Sequence, residues 1–197
     1  KLMKLSKLKG RGVRLRAVDR LWVAAMEERY DVRRGDLKEL VRRMDIVPPS
    51  LALAQAAEES GWGTSRFVIE GNALFGQWTV DDDRGLIPGK RLPNRDYRVK
   101  VFDSLVDGVR AYMKNLNTHR AYRSFRAVRA EMRRMGQVLN GWKLSLNLSS
   151  YSERGEKYIQ SLQKIIKSNR LGMLDIAKLS SKTHFLEEKI ANKKPVT

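Results

Sequence analysis

Ser50-Leu-Ala-Leu-Ala-Gln-Ala-Ala-Glu-Glu-Ser-Gly-Trp-Gly63 is the stretch from which the fold is read. Its four alanines, with leucine and glutamine between them, give it a high helix propensity. Pro48 and Pro49 mark its entry, because proline is tolerated in a first turn, where its missing N–H has no partner to lose. Gly61 and Gly63 mark its end. Alanine on several faces permits close packing, so a central helix is expected. Two carboxylates, Glu58 and Glu59, fall at its C-terminal end, where the helix dipole disfavours negative charge. Burial beside Trp62 would disfavour it further. Both effects raise a carboxyl pKa, as a general acid working near neutral pH requires. An arbitrary Glu-Glu pair at a helix end is a solvated surface pair, and the flanking composition alone does not decide between the two readings.

Upstream, Val18, Leu21, Trp22, Ala25 and Met26 recur at helical spacing over residues 17–31, which predicts one apolar face. Asp36 is placed to cap a second helix reaching about Met44, with Leu37, Leu40 and Val41 inward. Downstream, the pattern changes over residues 71–103. Tyr97-Arg-Val-Lys-Val-Phe102 alternates apolar and basic residues, the pattern of a strand. Leu74 to Val80 is its expected partner, with Asp81-Asp-Asp-Arg-Gly85 as a solvated loop. Ser104 and Asp107 open a capping-box-like start, and Leu105, Val106, Val109, Tyr112, Met113 and Leu116 line one helical face. A helix over 120–134, strongly basic outside, follows. Asn140-Gly141 breaks the chain, and Ser152 is expected to cap a last helix with Ile159, Leu162, Ile165 and Ile166 inward. The pattern predicts a mainly α (α+β) fold: a helical body carrying a small β-lobe. Residues 1–16 read as a mobile basic arm, 17–175 as one domain and 176–197 as a basic tail.

The 197 residues suffice for one domain with a proper core. A formal charge of +18 favours encounter with any polyanion, whether nucleic acid, an anionic membrane surface or the acidic polymers of a bacterial envelope. The basic residues are spread along the chain, which argues against a dedicated nucleic-acid groove. Without cysteine there is no thiol nucleophile and no disulfide, and His119 and His184 cannot build a multi-histidine metal site. No cofactor is expected. No run reaches the ~18 apolar residues of a spanning helix. Lys1 to Arg16 is basic without the apolar core of a secretion leader. The chain is therefore read as a mature or trimmed product, with an exported, periplasmic or envelope location.

Gln55 to Phe67, with Asn72-Ala-Leu-Phe-Gly76 and Tyr112-Met-Lys-Asn-Leu-Asn-Thr-His119, resembles the Bax-like bacterial proteins of the glucosaminidase group, glycoside hydrolase family 73. The likeness runs from about Asp45 to Leu174. It implies a lysozyme-like fold, with a cleft between helical body and β-lobe. It implies that the glutamate opening Glu-Ser-Gly-Trp-Gly, here Glu59, is the catalytic acid. Many members carry a second glutamate in the β-lobe, but none stands between Glu70 and Glu131. Asp96 is the nearest acidic residue to the expected strand, and Asp81, Asp82 and Asp83 lie in the loop. Tyr151, in Tyr151-Ser-Glu-Arg-Gly-Glu-Lys-Tyr158, resembles the family's tyrosine before the last helix and is a third catalytic candidate; its alternative role is to pack before the Ser152 cap. Tyr158 is expected in the core and His119 as a structural cap.

Trp62, Asn72, Phe75 and Trp78 are the candidate substrate-binding residues, the aromatic rings because pyranose faces stack on them. Phe75 is expected in the core, with at least one tryptophan lining the groove.

The resemblance thus implies a monomeric peptidoglycan hydrolase acting on glycan strands, an endo-β-N-acetylglucosaminidase. With one carboxylate in hand, the substrate's own N-acetyl group is the expected nucleophile, a known exception to the two-carboxylate scheme. A lytic transglycosylase, a non-catalytic wall-binding module and, on charge alone, a nucleic-acid binder are the alternatives.

Overall fold

The computed structural model describes residues 1–79, 85–87 and 98–178. Its helices are α1 (Leu2–Gly10), α2 (Ala17–Arg29), α3 (Leu37–Arg43), α4 (Pro49–Ser60), α5 (Arg66–Gly71), α6 (Leu105–Thr118), α7 (Arg123–Arg134), α8 (Gly141–Ser145) and α9 (Glu156–Ser168). Short strands β1 (Trp78–Thr79), β2 (Gly85–Leu86) and β3 (Arg98–Lys100) stand between α5 and α6, and 3-10 turns cover Arg120–Tyr122, Ser149–Tyr151 and Leu171–Ile176. The strands form an antiparallel sheet in the order β1-β3-β2, with Val99 paired to both Trp78 and Leu86. This is the mainly helical body with a small β-lobe that the pattern predicts. The two-residue β2 falls in the stretch read as loop and its end; so short a strand has no alternation to detect.

α4 is central. It packs against α8, α9 and the last 3-10 turn. Leu51 and Ala54 are fully buried among Tyr112, Leu116, Phe125, Leu144, Leu148 and Leu162. Its entry is held by Asp175, whose carboxylate accepts hydrogen bonds from Ser50 N (3.0 Å), Ser50 Oγ (2.7 Å) and Gly141 N (2.9 Å). A side chain at 141 would put its Cβ 2.1 Å from Ser50 Oγ and 2.8 Å from Leu51 N, so only glycine lets the start of α8 approach α4 this closely. Asp175, expected where a polar tail begins, is thus a clasp joining three segments.

A second apolar cluster joins the first three helices through Leu2, Leu5, Val23, Val32, Leu37 and Leu40. Residues 1–16, expected as a mobile arm, therefore contribute a packed helix: Leu2 and Leu5, three positions apart, lie on one face, and α3 packs against it. In α2 the buried stripe is Asp19, Val23 and Glu27, while Val18, Leu21 and Ala25 face outward. The reason is charge pairing. Asp19 accepts from Arg16 Nε at 3.0 Å and lies 3.6 Å from Lys1 Nζ, and Glu27 accepts from Gly35 N at 2.9 Å. Buried acids are tolerated once paired, and a count of apolar residues does not register the pairing.

α7 is basic on its outer side, as expected, and on its inner side as well. Arg126 and Arg129 are among the most deeply buried side chains. Arg126 donates to the Leu116 and His119 carbonyls (3.0 and 2.8 Å) at the end of α6. Arg129 donates to the Arg42 and Ile46 carbonyls (2.9 and 3.0 Å) at and beyond the end of α3. Each guanidinium satisfies acceptors that a helix C-terminus leaves open. Burial lowers the Arg129 pKa to about 10, against the opposing pull of Asp45.

Two further expectations change. Leu105 and Val106, read as inward, are exposed in the first turn of α6, which runs over the β-lobe edge before reaching the core at Gly108 and Tyr112. Gly155, not Ser152, precedes α9; Ser152 Oγ accepts from Arg154 N (3.3 Å) inside the connecting turn. Asp36, Ser104 and Asn140 cap α3, α6 and α8 through side-chain oxygens.

Candidate active site

The last turn of α4 delivers Glu58 and Glu59 to the junction of body and β-lobe. Gly61 closes the helix in the left-handed conformation, and the chain stays at positive φ through Trp62 and Gly63. Ser60 locks this turn, its Oγ donating to the Ala56 carbonyl (2.5 Å) and accepting from Gly63 N (2.7 Å). Ser65 caps α5, and Asn72 ends it in the left-handed region. The chain then folds back over α4, so that a Cβ at Gly76 (φ +57°) would stand 3.6 Å from Glu59 Oε2. The Glu-Ser-Gly-Trp-Gly and Asn-Ala-Leu-Phe-Gly segments are thus complementary halves of one structure: the first presents the carboxyl, the second lies against it.

Four tyrosines surround Glu59 closely enough for its charge to oppose their ionisation: Tyr112 from α6, Tyr122 and Tyr151 from 3-10 turns, and Tyr158 from α9. Tyr151 and Tyr158 stack at 5.6 Å between centroids, and Phe75 stacks on Tyr112 at 3.8 Å. Beneath them Gln55, one turn before Glu59 on α4 and fully buried, accepts from Tyr112 OH (2.7 Å) and donates through Nε2 to Tyr158 OH (2.9 Å). The Tyr158 hydroxyl, having accepted from Gln55, has its own proton left to donate, and Glu59 is its partner. The chain Tyr112, Gln55, Tyr158, Glu59 therefore has one direction of donation, ending at the carboxyl.

Burial raises the Glu59 pKa above the ordinary carboxylate value; the Tyr158 hydrogen bond partly opposes this, Glu58 adds to it and Arg154 offsets it. Glu58 itself is held by an ion pair with Arg154, whose other nitrogen donates to Ser161 Oγ at 2.8 Å. The Tyr151 hydroxyl reaches the Phe75 carbonyl at 3.4 Å and, through burial first and its tyrosine and glutamate neighbours second, is held in its neutral form. Glu59 opens onto a cleft of about 920 Å³, walled by Phe75, Gly76, Gln77 and Trp78 on one side and by Ala111, Lys114, Asn115 and Thr118 on the other. A protonated carboxyl at the floor of such a cleft can donate to a leaving oxygen.

Of the residues anticipated from the sequence, Glu59, Tyr151, Phe75 and Trp78 come together in this cleft. Phe75 is 5% exposed and belongs to the core as well, whereas Trp78 is 59% exposed. Trp62, 64% exposed, sits on the turn after α4 outside the cleft lining. Asn72 also lies outside it, its amide donating to the Phe102 carbonyl at 2.9 Å and so bracing the return from the β-lobe. Asp96, Asp81, Asp82 and Asp83, the tail beyond 178 and His184 within it lie outside the described residues. His119 accepts from Ala121 N at 3.3 Å, a structural cap, and Tyr158 is buried. Gln55, Tyr122 and Glu153 were not singled out. Gln55 was open to notice as a buried-face polar residue four before Glu59. Glu153, an exposed carboxylate on the cleft rim, lies in a segment whose role depends on tertiary folding. Among the described residues no group of acidic and histidine side chains is arranged to hold a metal, and no helix is long and apolar enough to cross a membrane.

Comparison with known proteins identifies the family. The model of the glucosaminidase family, mannosyl-glycoprotein endo-beta-N-acetylglucosaminidase, matches residues 35–171. Protein bax of Escherichia coli (strain K12) is 37% identical over 131 residues, covering 66% of this chain and 46% of that protein. The chain thus spans about half the length of this curated relative. No solved structure matches. The chain belongs to the glucosaminidase family and is of the Bax-like kind.

Proposed function

We propose that this member of the glucosaminidase family is an endo-β-N-acetylglucosaminidase acting on peptidoglycan, outside the cytoplasm, at the β-1,4 bond between N-acetylglucosamine and N-acetylmuramic acid. The observation that carries the reading is the position of Glu59, at the floor of a glycan-sized cleft, its carboxyl pKa raised by burial. Glu59 donates its proton to the leaving oxygen as positive charge develops at the sugar ring. Tyr151, neutral and beside it, offers its oxygen to that charge or to the substrate's acetamido group. Trp78, and Trp62 from beyond the cleft, provide stacking faces for flanking sugars.

The acetamido group acts as nucleophile in the first version of this mechanism. Glu153 favours a second version, because it is a carboxylate on the cleft rim and can activate water there. Replacing Glu153 by Gln separates them: activity within about twofold of the parent supports the substrate-assisted route, and a loss of 10²-fold or more supports Glu153 as base.

Digestion of purified peptidoglycan by the parent and by Glu59→Gln tests the whole reading. The parent releases fragments with reducing N-acetylglucosamine ends and the variant releases none. Anhydro-muramic ends would assign a lytic transglycosylase instead. Equal release by both proteins would remove Glu59 from the chemistry.

A further inference from the structure

The cleft does not stop at the sugar-sized space around Glu59. The outward stripe of α6 that walls it, Ala111, Lys114, Asn115 and Thr118, advances along the helix by roughly 10 Å. Asn115 and Thr118 then also line a second pocket of about 420 Å³, together with Arg43, Arg120, Arg123, Arg126, His119 and one exposed carboxylate, Asp31. The two spaces share these two residues and so lie side by side along α6. The first carries aromatic and neutral groups together with Glu59, Glu153, Lys100, Lys114 and Arg154, and the second gathers four arginines beside Asp31 and His119.

The charge in the second pocket is only partly answered by the protein. Arg43 is paired with Glu39 at 2.8 Å and with Asp31 at 3.7 Å. Arg120 and Arg123 are exposed and form no ion pair among the described residues. Arg126 is 2% exposed and uses its NH1 on two carbonyls, yet its buried Nε has no hydrogen-bond partner among the described residues. That nitrogen is closed off from solvent, so the groups an entering anion meets first are the exposed Arg120 and Arg123 guanidiniums. Arginine pairs in this setting select planar, bidentate acceptors, which is the geometry of a carboxylate.

We infer that this arginine-lined pocket is a carboxylate subsite of the glycan cleft, engaging the acidic groups carried by every second sugar of the strand. The inference rests on the glycan reading of the cleft and adds what that reading lacks: a reason for the enzyme to distinguish an acidic wall strand from a neutral polymer of N-acetylglucosamine. The carboxylate has two sources, the lactyl group of a muramic acid without its peptide and the free carboxylates of an attached stem peptide. The chemistry recognised is the same.

Binding in a Glu59→Gln background, where strands are not consumed, tests it. The probes are peptide-free strands, the same strands with carboxyls methyl-esterified, and peptide-bearing strands. Arg120→Gln with Arg123→Gln is expected to weaken binding of carboxylate-bearing strands about tenfold or more, with no change for esterified strands. Lys4→Gln with Lys7→Gln, on exposed positions of α1 away from the groove, removes the same charge and is expected to leave all three unchanged. A loss confined to peptide-free strands identifies the lactyl group, and one confined to peptide-bearing strands identifies the stem. An equal loss for esterified strands, or from the lysine pair, would reduce the pocket to part of a general basic surface and overturn the subsite. Binding of esterified strands that the arginine pair leaves intact, with no loss for acidic ones, would overturn the subsite and leave the glycan reading standing. Binding of none of the three strands by any form would overturn both.

Discussion

Glu59 is costly to ionise where it stands, and its chemistry and its effect on stability follow from the same fact. Its folded pKa lies above its unfolded value, so its contribution to stability is fully present below the ordinary carboxylate range and is lost as pH rises through the folded pKa. Glu59→Gln should therefore be inactive but melt at a higher temperature than the parent near pH 7, and the difference should vanish near pH 4. Equal melting temperatures at both pH values would show that the carboxyl is not strained by its surroundings. Tyr158 acts in the opposite sense, since its hydroxyl favours the charged carboxylate. In Tyr158→Phe the alkaline limb of the pH–activity profile should move to higher pH, with the acidic limb unmoved. At this scale Glu59 and its turn were legible, because a helix former, a carboxylate and two glycines stand in one short run. Of the tyrosines around it only Tyr151 was read as a site residue; the part played by Tyr112, Tyr122, Tyr158 and Glu153 was not legible, because these residues arrive from α6, α9 and two separate turns and meet only in the folded chain.

Elements join through small residues and caps. Gly141→Ala would drive a methyl group into Ser50 Oγ and the Leu51 amide, backbone at the start of the helix that carries the acid. It should destabilise the protein by about 1–3 kcal/mol in urea unfolding, and it should lower activity through displaced α4 even where the fold survives. Helix ends were readable for a local reason: Asp36, Ser104 and the two prolines act on backbone within three residues. Helix faces were read less well. In α2 the buried line runs through Asp19 and Glu27, whose partners lie on Lys1, Arg16 and Gly35. In α6 Leu105 and Val106 are exposed although they match the apolar spacing of the residues buried further along the helix. Periodicity records which residues prefer to be buried, and does not record which charges have found a partner.

For the molecule as a whole, the two apolar clusters are joined by arginine. Arg129 reaches from α7 across to carbonyls at the end of α3, and neighbouring Arg133 grips Asp45 with two bonds of 3.0 Å. Arg129→Met keeps much of the volume but strands those carbonyls, and should cost about 3 kcal/mol of unfolding free energy. A smaller cost would mean that water enters and replaces the guanidinium. The surplus of +18 also makes attachment to an anionic wall sensitive to salt, so sedimentation with wall fragments should weaken as ionic strength rises past physiological values. That so much positive charge coexists with two packed apolar clusters was not evident from composition, which counts arginines without saying that two of them are structural. Finally, Asp175 sets a limit on shortening the polypeptide. A deletion that stops just after it leaves the clasp on Ser50 and Gly141 intact, whereas one that removes it frees the first turn of α4, and with it the lever on which the proposed proton donor is mounted.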